Sequence, residues 1–595
     1  MTEKKDFFNL NLASLSKTNF KLYTQLIKHK ETLNAMRSNR YTFIQSRTGE
    51  TVPVMLEQSL HSAVDPKREA QRLISTFTLT AGLEEAKLPV QTESAERKSK
   101  TGFLIFLGLG GGFFPEEALE LTDSIVTVID FDIAGIAELF SSKDYTHLIE
   151  NDRFNILADP SSEEIKNFIL ENYKPSLYGG IKTIPLRTRI ENDKFLFDSL
   201  IKDIQEAIDI VSGDYSVQAH FGKRWFSNII RQLANNENLT INHKILFNKK
   251  EANPVCANSV CANKVCAIVA AGPSLDIQIK TIAEIKNNGG IVISTDTAFP
   301  VLAHNDIEPD FIVSIDCQHI SFLHFLSNKP QKIPLILDIA SPPALSQLAE
   351  NPVFFASGHP LARYIARKMN LPLLDTSGAN VTYACLSLAE YLGAERITLF
   401  AADFSYVNSQ SYARETYIYP YFYKRQNRFS TIEAQFSKFL YRSPFVNSGI
   451  NGKNKYFETS SLRFYRLKME EKISSIQADV SGAQGTGALI SFNKKQKTEN
   501  EERGLDVKEK RKVTERQIES GLEFLKHYQN EIAALPCAEG KENYFKKLNN
   551  EQLQIFTTLL PYAAFIRKQN PGLGINDIIE EVKKRSVSEI EKIIF

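Results

Sequence analysis

The chain has 595 residues, of which 43% are hydrophobic and 24% charged, with 71 Lys and Arg against 70 Asp and Glu. This is the make-up of a globular protein with several cores, and a net charge of +1 excludes a global pull toward nucleic acid or an anionic membrane. Six cysteines argue against a disulfide scaffold and for a reducing compartment. The opening MTEKKDFFNLNLASLSK lacks the apolar stretch of a signal peptide, and FLIFLGLGGGFF is too short to span a bilayer, so a cytoplasmic protein is expected.

Residues 1–100 read as an α/β lead-in, with two short strands in RYTFIQSRTGETVPVML and a helix in DPKREAQRLISTF that Asp65 caps and Pro66 opens. Residues 101–245 read as a Rossmann-like domain: a buried strand, the glycine loop GLGGGF, a helix, and the strand SIVTVIDFD ending at Asp130 and Asp132. The loop is not a clean G-x-G-x-x-G. It indicates the fold and leaves open whether a nucleotide, S-adenosylmethionine or nothing binds there. The DFD triplet matches a D-x-D metal motif, but its place at a strand end favours a structural role. Residues 246–264 read as a linker, 265–445 as a second α/β domain, 446–515 as a connecting segment running into a charged linker, and 516–595 as a helical domain. The expected fold class is α/β and multidomain, with two Rossmann-like parallel-sheet units followed by a helical C-terminal region.

The central domain carries the chemistry. KVCAIVAAGPSLDIQIKTIAEIKNNGG reads as strand, tight loop, helix and stop. Gly272 admits a close ligand, Pro273 suits a helix start, and Ser274 suits either a cap or a phosphate oxygen at the helix N-terminus. Further strands end at Asp296 and Thr297, at Asp316 and at Asp403, and the turn Thr376-Ser377-Gly378 precedes a helix. In an open parallel sheet this C-terminal edge is where ligands bind. The upstream VCANSVCANKVCA repeats one short unit. Its Cys256, Cys261 and Cys266 lack the C-x2-C pairs of zinc sites, so a linker duplication is expected and no metal.

The motifs AGPSLD, STDTAF, PDFIVSID, TSGANVTYACLSLAEYLGAERITLFAADFSY and LHSAVDPKREAQRLI resemble the motility-associated factor (Maf) family of flagellin glycosyltransferases, over residues 40–445. The central part in turn resembles bacterial sialyltransferases that use CMP-sialic acid, with Ala270 in place of their first loop glycine. The resemblance implies transfer of a nonulosonic acid, such as pseudaminic or legionaminic acid, from a CMP donor to Ser or Thr hydroxyls of flagellin. It implies an inverting, metal-independent enzyme with no cofactor beyond its donor, and flagellin, not nucleic acid or membrane, as partner. Gly272, Pro273, Ser274, Asp296, Thr297, Asp316, Thr376, Ser377 and Gly378 would bind the donor. Tyr406 and Tyr412 match the two phenols that hold the leaving phosphate, if one residue is inserted after Asp403. The sialyltransferase base is a His beyond the tyrosines, and between Tyr412 and His527 there is none. His359, Asp316 and Asp403 are the candidates for it, and Arg414 is a candidate for the sugar carboxylate. Two alternatives stay open: an ATP-dependent pyrophosphoryl transferase, since the central fold also resembles archaeal 6-hydroxymethylpterin diphosphokinases, and a non-catalytic flagellin-binding chaperone or scaffold.

Overall fold

The computed structural model describes residues 6–33, 40–79, 101–236, 264–408, 410–443, 445–483, 485–492 and 520–594. Cys256, Cys261 and most of the charged linker lie outside them. Among the described residues no helix is long and apolar enough to cross a membrane. The chain divides into two compact units, Met1–Lys223 with Glu531–Ser588, and Arg224–Asn530 with Glu589–Phe595.

In the first unit, β1 (Thr42–Gln45), β2 (Thr51–Met55) and β3 (Gln58–Ser59) form an antiparallel sheet. The strands β4 (Thr101–Leu107), β5 (Ile125–Asp130), β6 (Phe154–Ala158) and β7 (Gly180–Pro185) form a parallel sheet in the order β6-β5-β4-β7. This is the expected Rossmann-like opening. Its glycine loop turns through left-handed residues at Gly108, Gly110 and Gly112, with φ of 99°, 52° and 78°. The loop's polar groups are met from inside. Leu109 N–H donates to Asp130 at 3.0 Å, and Gly111 N–H donates to His61 Nε2 at 3.0 Å. The Gly110 carbonyl accepts from the Tyr145 hydroxyl. Burial pushes His61 down to about 3, which keeps its ring neutral and able to accept. Asp130 also takes two bonds from the fully buried Arg189, at 2.7 and 3.0 Å, and Asp132 pairs with Arg40 at 2.9 Å. The acid that faces a ribose in a dinucleotide fold is here bound to the protein's own cation.

The second unit holds six strands of a parallel sheet before any insertion: β8 (Val265–Val269), β9 (Ile291–Thr295), β10 (Phe311–Ser314), β11 (Leu335–Asp338), β12 (Pro352–Phe355) and β13 (Arg396–Phe400). An antiparallel trio follows, β14 (Tyr406–Val407), β15 (Val446–Asn451) and β16 (Asn454–Thr459), and then β17 (Asp479–Gly482). The large sheet runs β12-β11-β10-β9-β8-β13-β17, every pair parallel. Its strands are short apolar runs buried on both faces, as parallel strands covered by helices must be. Cys266, Ile268, Ile293 and Val353 are fully buried, and each such side chain stabilises by about 1.5–3 kcal/mol. Cys266 is therefore a core residue of β8.

Three boundaries differ from those expected. The central sheet does not end at 445, because β17 pairs with β13 from residue 479. The units part inside the helix Lys194–Asn235 rather than at 245. The last turns of that helix belong to the second unit because Asn228 donates to the Cys317 and Ala340 carbonyls, and Gln232 to that of Ser341. The C-terminal helices do not stand alone. Arg567, in the helix Asn550–Gln569, is buried and donates to the Ser176 and Leu177 carbonyls of the first unit. Amphipathic helices need a partner for their apolar face, and these find it more than 350 positions upstream.

Candidate functional site

The order of the large sheet reverses between β8 and β13, and the loops after those two strands flank the topological switch point. Gly272, Pro273 and Ser274 follow β8, and Asp403 follows β13. They are bound to each other. Ser274 N–H and O–H donate to the two Asp403 oxygens at 2.8 and 2.5 Å. The loop after β17 closes over them. Thr486 N–H donates to Ser274 Oγ at 2.8 Å, and Gly487 N–H to Asp403 at 3.3 Å. Gly272 N–H donates to the Ala401 carbonyl, and Leu275 N–H to the Gly272 carbonyl. Burial raises the Asp403 carboxyl, and the bonds from Ser274 and Gly487 oppose that rise.

The roles expected for these residues change accordingly. A Cβ on Gly272 would meet the Ala401 carbonyl at 2.4 Å and the Asp403 carboxylate, so the glycine is required by the approach of the β13 end. Ser274 neither caps its helix by its side chain nor stands free for a phosphate. Asp403 is a clamp with both oxygens occupied, not an available base. Thr486 is a member of this knot that the sequence hid, lying 212 positions from Ser274 in a stretch that reads as linker. A cavity of about 270 Å³, lined by Gln278, Ala401, Asp403, Asn451 and Gly485 among others, opens beside it.

Past β9, Asp296 is buried. It accepts from Ser314 Oγ at 2.7 Å and from Thr297 N–H and O–H at 2.7 and 3.0 Å. Asp316, past β10, accepts from Gln318 N–H at 2.9 Å and is also met by the Gln318 side chain. Burial raises its carboxyl, and neighbouring Asp296 adds to the rise. The turn Thr376-Ser377-Gly378 lies before the helix Val381–Tyr391. Asp375 accepts from Ser377 N–H and from the Tyr383 hydroxyl, while a Cβ on Gly378 would strike the Tyr383 ring. Asn380 caps the helix.

Tyr406 on β14 and Tyr412 in the following turn come together with two tyrosines not foreseen, Tyr417 and Tyr465. The rings of Tyr412 and Tyr417 are 6.2 Å apart. Tyr417 meets His324 edge-on at 4.5 Å, and Tyr406 meets Phe439 at 6.3 Å. Arg442 lies over the Phe439 ring at 4.1 Å and is close enough to lower the Tyr406 and Tyr417 hydroxyls against the rise that burial causes. Burial raises the Tyr412 hydroxyl, and Tyr417, Tyr406 and Asp296 add to it, so the phenol stays protonated and can donate. Among the described residues no protein group bonds the four hydroxyls, none of the four is sealed from solvent, and Arg442 has no carboxylate partner. Buried His324 has an unpartnered Nδ1.

Two candidates fall outside this group. His359 packs edge-on against Trp225 at 4.9 Å, and no hydrogen bond or ring contact joins it to the tyrosines. Burial pushes it down to about 3, and both its ring nitrogens lack partners. Arg414 is exposed and leans on Asp276 at 3.8 Å.

A profile of the 6-hydroxymethylpterin diphosphokinase MptE-like family matches residues 230–409. An uncharacterised protein of Treponema pallidum (strain Nichols) is 34% identical over 150 residues, which are 24% of this chain and 54% of that protein. A second uncharacterised protein of the same organism is 30% identical over 189 residues, 31% of this chain and 80% of that protein. The chain thus spans about half the length of the first relative. It belongs to one family with the second. The structure of a Maf glycosyltransferase from Magnetospirillum magneticum AMB-1 superposes with a TM-score of 0.54 at 13% identity, covering 99% of this chain and 96% of that one. The fold of this chain is therefore that of the Maf glycosyltransferase, in agreement with the resemblance of its motifs.

Proposed function

We propose that the chain is a glycosyltransferase that moves a nonulosonic acid from its CMP form to Ser or Thr hydroxyls of flagellin. The observation that carries the reading is the group of four protonated phenols beside Arg442, all without a hydrogen-bond or ion-pair partner among the described residues, at the ligand-binding edge of the sheet. In the transfer the acceptor oxygen bonds to the anomeric carbon and the bond from that carbon to the phosphate oxygen breaks. The bonding pair leaves with CMP. Tyr406 and Tyr412, joined by Tyr417, donate hydrogen bonds where that charge develops, and such preorganised donors act most strongly in a site that excludes water. In this reading the phenols, and not a metal ion, hold the leaving phosphate. Arg442 takes the place expected of Arg414 and holds an anionic group of the donor by a bidentate pair. Asp316, half-buried and held by the Gln318 backbone and side chain, receives the acceptor's proton. The knot of Ser274, Asp403 and Thr486 positions the loops and touches no reacting atom.

The match to the diphosphokinase-like family favours a second reading, pyrophosphoryl transfer from ATP. That match ends at residue 409; it includes Asp316 and Tyr406 but not Tyr412, Tyr417, Arg442 and Tyr465, which the first reading also uses. The test is mass spectrometry of flagellin incubated with the chain and either CMP-pseudaminic or CMP-legionaminic acid. Added mass equal to the sugar supports transfer. Flagellin of unchanged mass, together with binding of ATP and magnesium but not CMP, supports the kinase reading. Unchanged mass with flagellin binding alone leaves a scaffold.

A further inference from the structure

We propose that β15 is a docking edge, and that an extended acidic segment of a partner polypeptide adds to the β14-β16-β15 sheet there as a fourth strand. All six residues of β15, Val446–Asn451, pair with β16 on one side. Among the described residues no strand pairs with the other side. Its sequence, VNSGIN, has no charge and no proline, the devices by which proteins normally blunt an open edge. An edge left open in this way presents a ladder of backbone donors and acceptors to an incoming strand. Large apolar side chains stand in the open here, Ile450 on the strand 77% and Phe445 just before it 71% exposed.

The charge of the segment that carries this edge selects the partner. Between residues 404 and 478 there are twelve Lys and Arg against five Glu and no Asp, in a chain that is otherwise balanced. Arg425, Arg428, Lys438, Arg442, Lys453 and Lys455 make no ion pair among the described residues. Lys453 and Lys455 sit in and beside the β15–β16 turn itself. A basic, aromatic surface alone would suit a nucleic acid or an anionic membrane equally. The unpaired ladder is what only a polypeptide backbone completes. The same small sheet carries Tyr406 on β14, and Asn451 at the end of β15 donates to the Gly485 and Gly487 carbonyls of the loop over Ser274. At strand spacings of roughly 4.8 Å, a docked strand would run roughly 14 Å from β14, within one small domain of the proposed site. The inference goes beyond the transfer reading and does not need it, since docking can occur on a chain that moves no sugar.

The test is fluorescence anisotropy on the full chain with a synthetic peptide of alternating Thr and Val in which three Thr are replaced by Glu. Matched arms use the same peptide with alternate amides N-methylated, the same peptide with Lys in place of Glu, a single-stranded oligonucleotide, and phosphatidylglycerol vesicles. The acidic peptide is expected to bind, and N-methylation or Lys to weaken it by roughly tenfold or more. The exposed substitutions Ile450→Glu with Lys455→Glu, and separately Asn447→Glu, are expected to weaken it similarly without lowering the melting temperature. The proposal is overturned if the acidic peptide does not bind, if the N-methylated or Lys peptide binds equally well, or if only the oligonucleotide or the vesicles bind. Wild-type transfer of sugar to flagellin, measured in parallel, fails only if the transfer reading fails.

Discussion

The two parallel sheets of this chain end in similar loops with opposite residues left over. After β4 the loop Gly108–Gly112 is closed by Asp130, His61 and Tyr145, and the cations nearby are spent on carboxylates: Arg189 on Asp130 and Asp193, Lys143 on Glu116. After β8 the loop Gly272–Ser274 is likewise closed from within, by Asp403 and the Thr486 loop. Beside it, however, four phenols and Arg442 keep their bonding capacity. A glycine loop after a first strand is thus a mark of fold, and in the proposed transfer the ligand site is marked instead by polar groups the protein has not used on itself.

That contrast can be broken at several points. The largest effect is expected from Asp130→Ala, which strands Arg189 as a buried, half-compensated charge. Breaking such a pair costs about 3–5 kcal/mol, visible as a lower unfolding midpoint. Replacing Asp130 with Leu and Arg189 with Met together should recover most of the loss, and a melting temperature that stays low would contradict a purely structural role. Next, Tyr406→Phe with Tyr412→Phe should lower sugar transfer by about a hundredfold, the order seen when a preorganised donor to a developing oxyanion is removed, with an unchanged melting temperature. An unaffected rate would remove the phenols from the mechanism. Third, burial raises Asp338 to about 6. An acid raised on folding binds its proton more tightly in the native state, so stability is highest below the unfolded value and falls as pH rises toward about 6. The loss is about 3 kcal/mol for a shift of this size. Denaturant titrations of Asp338→Asn should show a flatter profile between pH 4 and 6, and a profile matching wild type would refute the assignment. The smallest effect is expected for Ser274→Ala, which removes a hydrogen bond to a buried carboxylate worth about 1.5–3 kcal/mol and should cost stability more than it changes donor affinity.

What could be read from the sequence follows from what is local. The runs CAIV, IVIST, FIVS and LILD are short, apolar and bounded by turn residues, so β8 to β11 and the polar edge after them were legible. Tyr406 and Tyr412 were reached only through the resemblance to sialyltransferases, with one residue inserted after Asp403. β17 was not, because DVSG has one apolar residue and gains its place only by pairing with β13 at an edge. Thr486, Arg442 and Tyr465 join the site through long-range folding, and no local period announces them. His359 stood after a strand as a base should, yet its ring turns into Trp225, and strand position alone does not tell where a side chain points. The C-terminal helices were legible as helices, while the unit they complete was not, since an amphipathic face names no partner.

In the proposed transfer the unspent phenols, not either glycine loop, receive the donor. Hydrogen–deuterium exchange of the full chain with and without CMP, read peptide by peptide, tests it most directly. Slowed exchange is expected in peptides covering Asp296 and Thr297 and the Tyr406–Tyr417 segment, with no change across Gly108–Gly112. Protection confined to Gly108–Gly112, with the tyrosine segment unchanged, would contradict it.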